Sequence, residues 1–180
     1  MHSFWKRGYE ACSMDKLVRD TGVSRHGIYA SAGGKRDLFL RGFAAYQREI
    51  VSPAISVLES EAATLDAIAA YFETQIALAE LIGLPGPGCF VANAMTETAP
   101  HDPDVRVQVE YHNARLKAAF RNALQKSFDL IAPDELDALA EFIATTAQGL
   151  WSKSRVVETA SPLRAHVATL MSLLAARIKQ

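Results

Sequence analysis

The chain has 180 residues, 49% hydrophobic and 22% charged, which suffices for one or two compact domains with a real core and excludes a disordered chain. No apolar run approaches the roughly 18 residues that cross a bilayer, and the start MHSFWKRGYEA lacks the apolar stretch and small-residue cleavage site of a secretion signal. Net charge is −1, which argues against a general polyanion binder. Its distribution is uneven: residues 1–50 carry nine Lys/Arg against five Asp/Glu, net +4, and the remainder is net −5, so any contact with phosphates is assigned to the N-terminal third.

Apolar residues recur at spacings of three and four, and β-branched alternation is absent, so the chain reads as all-α with short connections. Met14, Leu17 and Val18 form one helical face, opened by Ser13 as N-cap and ended by Gly22 at the position that takes a left-handed backbone. Ser24 caps a short helix of about two turns that buries Ile28, and Gly33-Gly34 end it. A longer helix turns Leu38, Phe39, Phe43, Tyr46 and Ile50 inward and is expected to end or kink near Ser52, because Pro53 disfavours a helical residue before it. A helix over 64–82 carries the stripe Leu65, Ile68, Phe72, Ile76, Ala79. LPGPG (84–88) breaks the chain, and a short helix over 89–98 ends at Pro100. PHDPDV (100–105) caps a helix with the stripe Val105, Val109, His112, Leu116, Phe120, Leu124. APDE (132–135) starts another with Pro133 in its first turn. The last begins after Ser161-Pro162.

A helix ended by Gly22, a three-residue turn and a short helix opened by Ser24 form a helix-turn-helix pattern, in which the second helix enters the major groove. Its polar face offers Ser24, Arg25, His26 and Tyr29. Arg25 and Tyr29 lie four apart on one side. Gly27 lets the backbone approach a DNA strand. Lys35 sits in the first turn of the next helix, where free backbone N–H groups favour an anion, and reads as a phosphate clamp. The spacing alone also fits a small core helix with a polar outer face.

The stretch FWKRGYEACSMDKLVRDTGVSRHGIYASAGGKRDLFLRGFAAY (4–46) resembles the DNA-binding domain of the TetR/AcrR-type transcriptional regulator family. The matching residues are the aromatic-then-RGY-A start, Ser13-Met14 opening the second helix, the Gly22-Val23-Ser24 turn, Tyr29, and Gly-x-Lys followed by Leu38-Phe39. GCFVANAMTETAPHDPDVR (88–106) resembles the ligand-domain segment of one branch. The resemblance implies a helix-turn-helix DNA-binding domain over 1–46 and a ligand-binding and dimerisation domain over 47–180. It implies a homodimeric repressor, released from double-stranded operator DNA by a small-molecule effector. Ser13 joins Ser24, Arg25, His26, Gly27, Tyr29 and Lys35 as candidate DNA contacts. Two departures stand out. Few residues precede Phe4, so the first helix is expected to be short, as in a truncated head, without a basic arm. Ala32 stands where the family often has a large aromatic, and a gap of that size would cost a few kcal/mol, about 3–5 for Phe→Ala, unless neighbours fill it.

Residues 138–152 contain one charge, Glu141, and 165–176 contain none, so these two helices are expected to bury more than one side. One stripe (Leu136, Leu139, Ile143, Ala147, Leu150, Trp151) serves the chain's own core, and Leu163, Val167, Leu170, Leu174 and Ile178 repeat similarly. A two-fold four-helix dimer bundle follows, with Thr146, Gly149, Leu163, Val167, Leu170, Met171 and Leu174 as interface candidates. A thick monomeric core is the alternative. The effector pocket implied by the family would draw on Phe72, Gln75, Phe90, Asn93, Met95, Tyr111, His112, Phe142, Gln148 and Trp151. Taken singly, each fits core packing at least as well.

No P-loop, Gly-x-Ser-x-Gly, HExxH or GxGxxG is present, so no enzyme activity is expected. His101 and His112 are eleven residues apart, about 16 Å along a helix, too far to share a metal, and no metal or cofactor is expected. Cys12 and Cys89 make no disulfide framework and fit a reducing cytoplasm, so the expected location is cytoplasmic, without membrane attachment. Two further readings stay open: a helical dimeric module that binds small molecules or partners with an impaired DNA head, and an all-α small-molecule enzyme.

Overall fold

The computed structural model describes residues 1–128 and 131–178, which are helical with no strand. The helices are α1 (His2–Arg7), α2 (Met14–Thr21), α3 (Arg25–Ala32), α4 (Lys35–Tyr46), α5 (Ser52–Glu59), α6 (Leu65–Ile82), α7 (Phe90–Glu97), α8 (Pro103–Gln125), α9 (Pro133–Lys153) and α10 (Ser161–Ile178). The chain divides into two compact units: Met1–Val51 with Pro87–His112, and Ser52–Gly86 with the described chain from Asn113 onward.

The first unit contains α1 to α4, α7 and the start of α8. The local punctuation acts as its chemistry dictates. Ser13 and Ser24 hold extended backbones and accept from the backbone N–H groups of Lys16 (3.2 Å) and Gly27 (3.0 Å). Gly22 takes φ 70°, a conformation that only glycine adopts cheaply. The core is aromatic. Phe39 packs against Phe4, Tyr9, Phe43 and Phe90 with ring centroids 4.9–5.4 Å apart, and Phe90 also meets Phe43 and Tyr46. Leu17 and Ile28 are buried beside them. Ala32 is itself buried, so its position is sealed from solvent despite the small side chain. His112 is a core histidine, its Nδ1 3.0 Å from the amide nitrogen of buried Gln47.

Polar ties join α1, the turn after it and α4 to residues 87–104, among them a 3.5 Å contact from the Asn93 amide to Trp5 O. The Trp5 indole donates to Gly88 O (2.9 Å). The Glu97 carboxylate accepts from the backbone N–H groups of Tyr9 (2.8 Å) and Glu10 (2.9 Å). Arg36 donates to both oxygens of Asp102 (2.7 and 2.9 Å) and to Asp104 (2.6 Å). Gly8 makes the Glu97 tie possible: at φ 85° it turns the chain, and a Cβ there would stand 2.7 Å from a Glu97 oxygen.

The regular helix through Tyr46 is interrupted just before Ser52, as Pro53 led one to expect. A π-helical turn, Gln47–Val51, comes first, and α5 then begins at Ser52. Proline has no N–H and crowds the carbonyl four residues back, here that of Glu49, and the wider π turn relieves that crowding. Pro53 thus sits near the start of a new helix, where proline is tolerated. The sequence reading assigned no element to α5, which buries Ile55 and Leu58.

In the second unit, α6 buries Ile68, Tyr71, Phe72 and Ile76, and α8 buries Leu116, Phe120 and Leu124. Tyr71, Phe72 and Phe120 form one aromatic group. α9 adds Leu136, Ile143, Ala147 and Leu150, and α10 adds Leu163, Leu170 and Leu174. The side chain of Ile178 lies outside the described residues. Arg164 of α10 grips Glu73 and Glu80 of α6, while Arg177 holds Glu135 and Arg121 holds Asp137.

Two outcomes are expected of these contacts. Phe90→Ala removes the ring that touches Phe39, Phe43 and Tyr46, and should cost about 3–5 kcal/mol in chemical denaturation. An unchanged unfolding midpoint would contradict the assigned core. The Arg36 guanidinium holds the Asp102 carboxyl below its ordinary value. A carboxyl lowered on folding stabilises fully above its unfolded pKa, about 3.9, and loses that contribution as pH falls through the lowered folded value. Wild type should therefore be more stable than Asp102→Asn above about pH 4, and the two should converge in stronger acid. A gap independent of pH would exclude the ion pair as its source.

Candidate nucleic-acid interface

The candidate surface for DNA is built by α2, the turn at 22–24 and α3, with the start of α4 following. Ser24, Arg25, His26 and Tyr29 are all exposed, Tyr29 by 52%. Arg25 and Tyr29 share a side of α3 as their spacing requires. Arg25 is not idle: its Nη2 lies 2.7 Å from Asp15 Oδ1 of α2. Ser13 is exposed and its hydroxyl serves as the α2 cap. The Arg41 guanidinium donates to Ser31 O (2.7 Å) and so holds the last turn of α3.

Gly27 has a local reason that the sequence did not reveal. A Cβ there would stand 2.9 Å from Val23 Cγ1, so the tight packing of α3 on its own turn already calls for a small residue. Lys35 opens α4, whose N-cap Gly34 provides no side-chain hydrogen bond. Its ammonium lies 4.2 Å from the centre of the Tyr9 ring, a cation–π contact that holds it at the helix start. Uncapped backbone N–H groups and a fixed cation together suit one phosphate.

The basic excess of the N-terminal third is partly spent inside the chain. Asp20 bridges Arg7 and Lys16, Asp15 meets Arg25, and Arg36 is held by Asp102 and Asp104. Sequence reasoning explained Asp102 and Asp104 as helix-capping acids. Asp102 does accept from the N–H groups of Asp104 and Val105, but it also anchors α4. Glu97, Trp5 and Arg36 went unrecognised as ties. Gly8 was the available signal for an unusual turn, yet Glu97 lies 88 residues from Tyr9 and no local pattern connects them.

The ten effector-pocket candidates fall in both units. Phe90, Asn93, Met95, Tyr111 and His112 lie in the first, and Phe72, Gln75, Phe142, Gln148 and Trp151 in the second. Phe90 is at the centre of the aromatic core. Asn93 donates to Pro87 O (3.0 Å), and Gln148 donates to Asn113 Oδ1 (2.7 Å). Gln75 and Met95 are half-buried, and Trp151, also half-buried, stands 6.5 Å from Phe72. Tyr111 and Phe142 are exposed, by 55% and 52%. Of the interface candidates, Leu163, Leu170 and Leu174 are buried within the protomer itself. Thr146, Val167 and Met171 are half-buried and Gly149 is exposed. Among the described residues, the large apolar side chains left outside on α9 and α10 are Phe142 and Leu173. Among the described residues no His, Cys, Asp and Glu cluster could hold a metal ion, and no helix is long and apolar enough to cross a membrane. Cys12 and Cys89 are free and buried, and burial pushes the Cys89 thiol up.

Residues 1–41 match the family model described as bacterial regulatory proteins, tetR family, and residues 64–170 match that of the tetracyclin repressor-like C-terminal domain. The chain is 28% identical over 179 residues to YezE of Bacillus subtilis (strain 168), described as an uncharacterized HTH-type transcriptional regulator, covering 95% of this chain and 90% of that one. It is 27% identical over 158 residues to the HTH-type transcriptional repressor ComR of Escherichia coli (strain K12), covering 86% and 75%. Among solved structures, a cysteine mutant of the TetR family transcriptional regulator CifR, complexed with 26-bp operator DNA, superposes with a TM-score of 0.77 at 24% identity, over 97% of this chain and 91% of that one. A TetR regulator from Chloroflexus aurantiacus gives 0.78 at 23% identity, over 96% and 88%. With its helix-turn-helix capped at both joints and both halves of the chain matched, the protein belongs to the TetR family of bacterial regulatory proteins and is a helix-turn-helix transcriptional regulator.

Proposed function

We propose that the protein is a homodimeric, cytoplasmic repressor that reads a two-fold symmetric operator with α3 and leaves it when a small molecule binds. In this reading residues 1–46 bind DNA, and residues 47–180 bind the effector and dimerise. The observation that carries it is the exposed row Arg25, His26 and Tyr29 on a helix held rigid by the Ser24 cap and the Arg41 tie. A helix so placed brings donors to base edges in the major groove. ComR, a relative, is named a repressor, and CifR, which shares the fold, is seen on operator DNA. Both support the reading. Buried Ala32 and the formed caps favour a working head over an impaired one. Exposed Phe142, Gly149 and Leu173 on charge-poor helices support a dimer built on α9 and α10.

Selection from a random duplex library, at two salt concentrations with competitor DNA present, should return a motif with two half-sites about one helical turn or a multiple apart. Sequence-independent binding alone would overturn the repressor reading. On the selected site, Arg25→Ala should relax the preference at one base position per half-site, worth about 1–3 kcal/mol there. Lys35→Ala should weaken binding to every sequence alike and flatten the dependence of log K on log salt by about one. An unchanged slope would remove Lys35 from the phosphate contacts.

A further inference from the structure

We propose that Tyr9 is a positioning residue for DNA binding, whose ring holds the Lys35 ammonium ready for a phosphate. The inference rests on the assignment of Lys35 as a phosphate contact. The two side chains meet where the turn after α1 passes the start of α4, with the ammonium 4.2 Å from the centre of the Tyr9 ring. The ring is itself held in place. The Tyr9 backbone N–H donates to Glu97 (2.8 Å), and the ring packs against Phe39 and Phe4 with centroids 4.9 and 6.1 Å away. Tyr9 and Lys35 are both half-buried, so a seated ring carries a cation that still reaches solvent.

The kind of partner decides what the contact does. Arg7, Lys16, Arg25 and Arg36 are held by carboxylates, which take up donors and neutralise charge that a phosphate would use. Among the described residues Lys35 is paired with no carboxylate and meets a ring instead. An ammonium has three N–H donors. The ring face attracts the charge from one side and leaves donors for a phosphate oxygen on the other, so the contact is kept in the complex rather than exchanged for it. What the ring removes is side-chain freedom. A lysine without it samples many rotamers, and its binding is weakened by the fraction of them that reach the phosphate. The ring raises that fraction. Every duplex presents phosphates, so the gain falls equally on operator and random sequence.

One series of variants separates this role from core packing and from competition between ring and DNA. Tyr9→Phe keeps the ring face, and phenylalanines with one, two and three ring fluorines at the same position then drain its negative charge with little change of size. Tyr9→Phe should bind as wild type does. Along the fluorinated series, affinities for operator and random duplex should fall together, by about two- to five-fold at its end, the size of a partly exposed cation–π contact. The salt slope should stay at the wild-type value, because Lys35 still neutralises its phosphate. In a Lys35→Ala background the series should be flat. A flat series with Lys35 present would overturn the proposal. A rising one would mark competition, and one that persists without Lys35 would mark core packing; each overturns it as well. If Lys35→Ala alone left the salt slope unchanged, the phosphate assignment would fall first. A flattened slope in Lys35→Ala beside a flat series would sink only the role of Tyr9.

Discussion

The Glu97 carboxylate, seated on the backbone N–H groups of Tyr9 and Glu10, is the contact on which the DNA-reading head depends. A six-residue helix such as α1 is marginal alone and draws its stability from packing. Here the packing is supplied from far along the chain. Glu97 closes the turn between α1 and α2, Asp102 and Asp104 grip the start of α4 through Arg36, and Phe90 fills the space among Phe39, Phe43 and Tyr46. The ties are short, and their carboxylates are half-buried (Glu97, Asp102) or exposed (Asp104). They therefore gain charge-assisted hydrogen bonds without the full desolvation cost of a deeply buried ion.

This construction shapes the electrostatics of the head. A basic N-terminal third would suggest a uniformly positive DNA surface, but acids on α2 and before α8 engage Arg7, Lys16, Arg25 and Arg36. At the start of α4, Lys35 stands beside backbone N–H groups that the N-cap Gly34 does not cap. Weak overall attraction with a few aimed donors favours reading over clinging, because non-specific binding scales with the phosphates neutralised.

What the sequence revealed and what it hid follow one physical division. Ser13, Gly22, Ser24 and Gly33 act on the backbone within a few residues of themselves, so the helix-turn-helix and its boundaries could be read directly. The stripes of α6 and α8 were visible for the same reason, as a periodicity inside one element. Pro53 signalled the interruption near Ser52, but not that it takes the form of a π turn or that α5 follows. Glu97, Arg36 and Trp5 were missed because their partners lie more than 60 residues away. The steric limit that Val23 sets on Gly27 was hidden, because it depends on how the turn folds back on α3. On α10 the stripe through Leu163, Leu170 and Leu174 was legible and is buried within the protomer, while Leu173, 60% exposed, lies off it; periodicity alone did not show that the stripe serves the protomer's own core rather than a partner.

The most direct test of this account is amide hydrogen exchange at Tyr9 and Glu10, measured with operator affinity, for wild type and Glu97→Gln. The carboxamide keeps one acceptor oxygen but turns an NH2 group toward the second backbone donor. Loss of one charge-assisted bond and the orphaned N–H should release about 1–3 kcal/mol of local stability. Exchange at both amides should speed up and operator affinity should fall roughly tenfold, while helix content stays at the wild-type level. Unchanged protection together with unchanged affinity would show that the head stands without its brace, and would contradict the account.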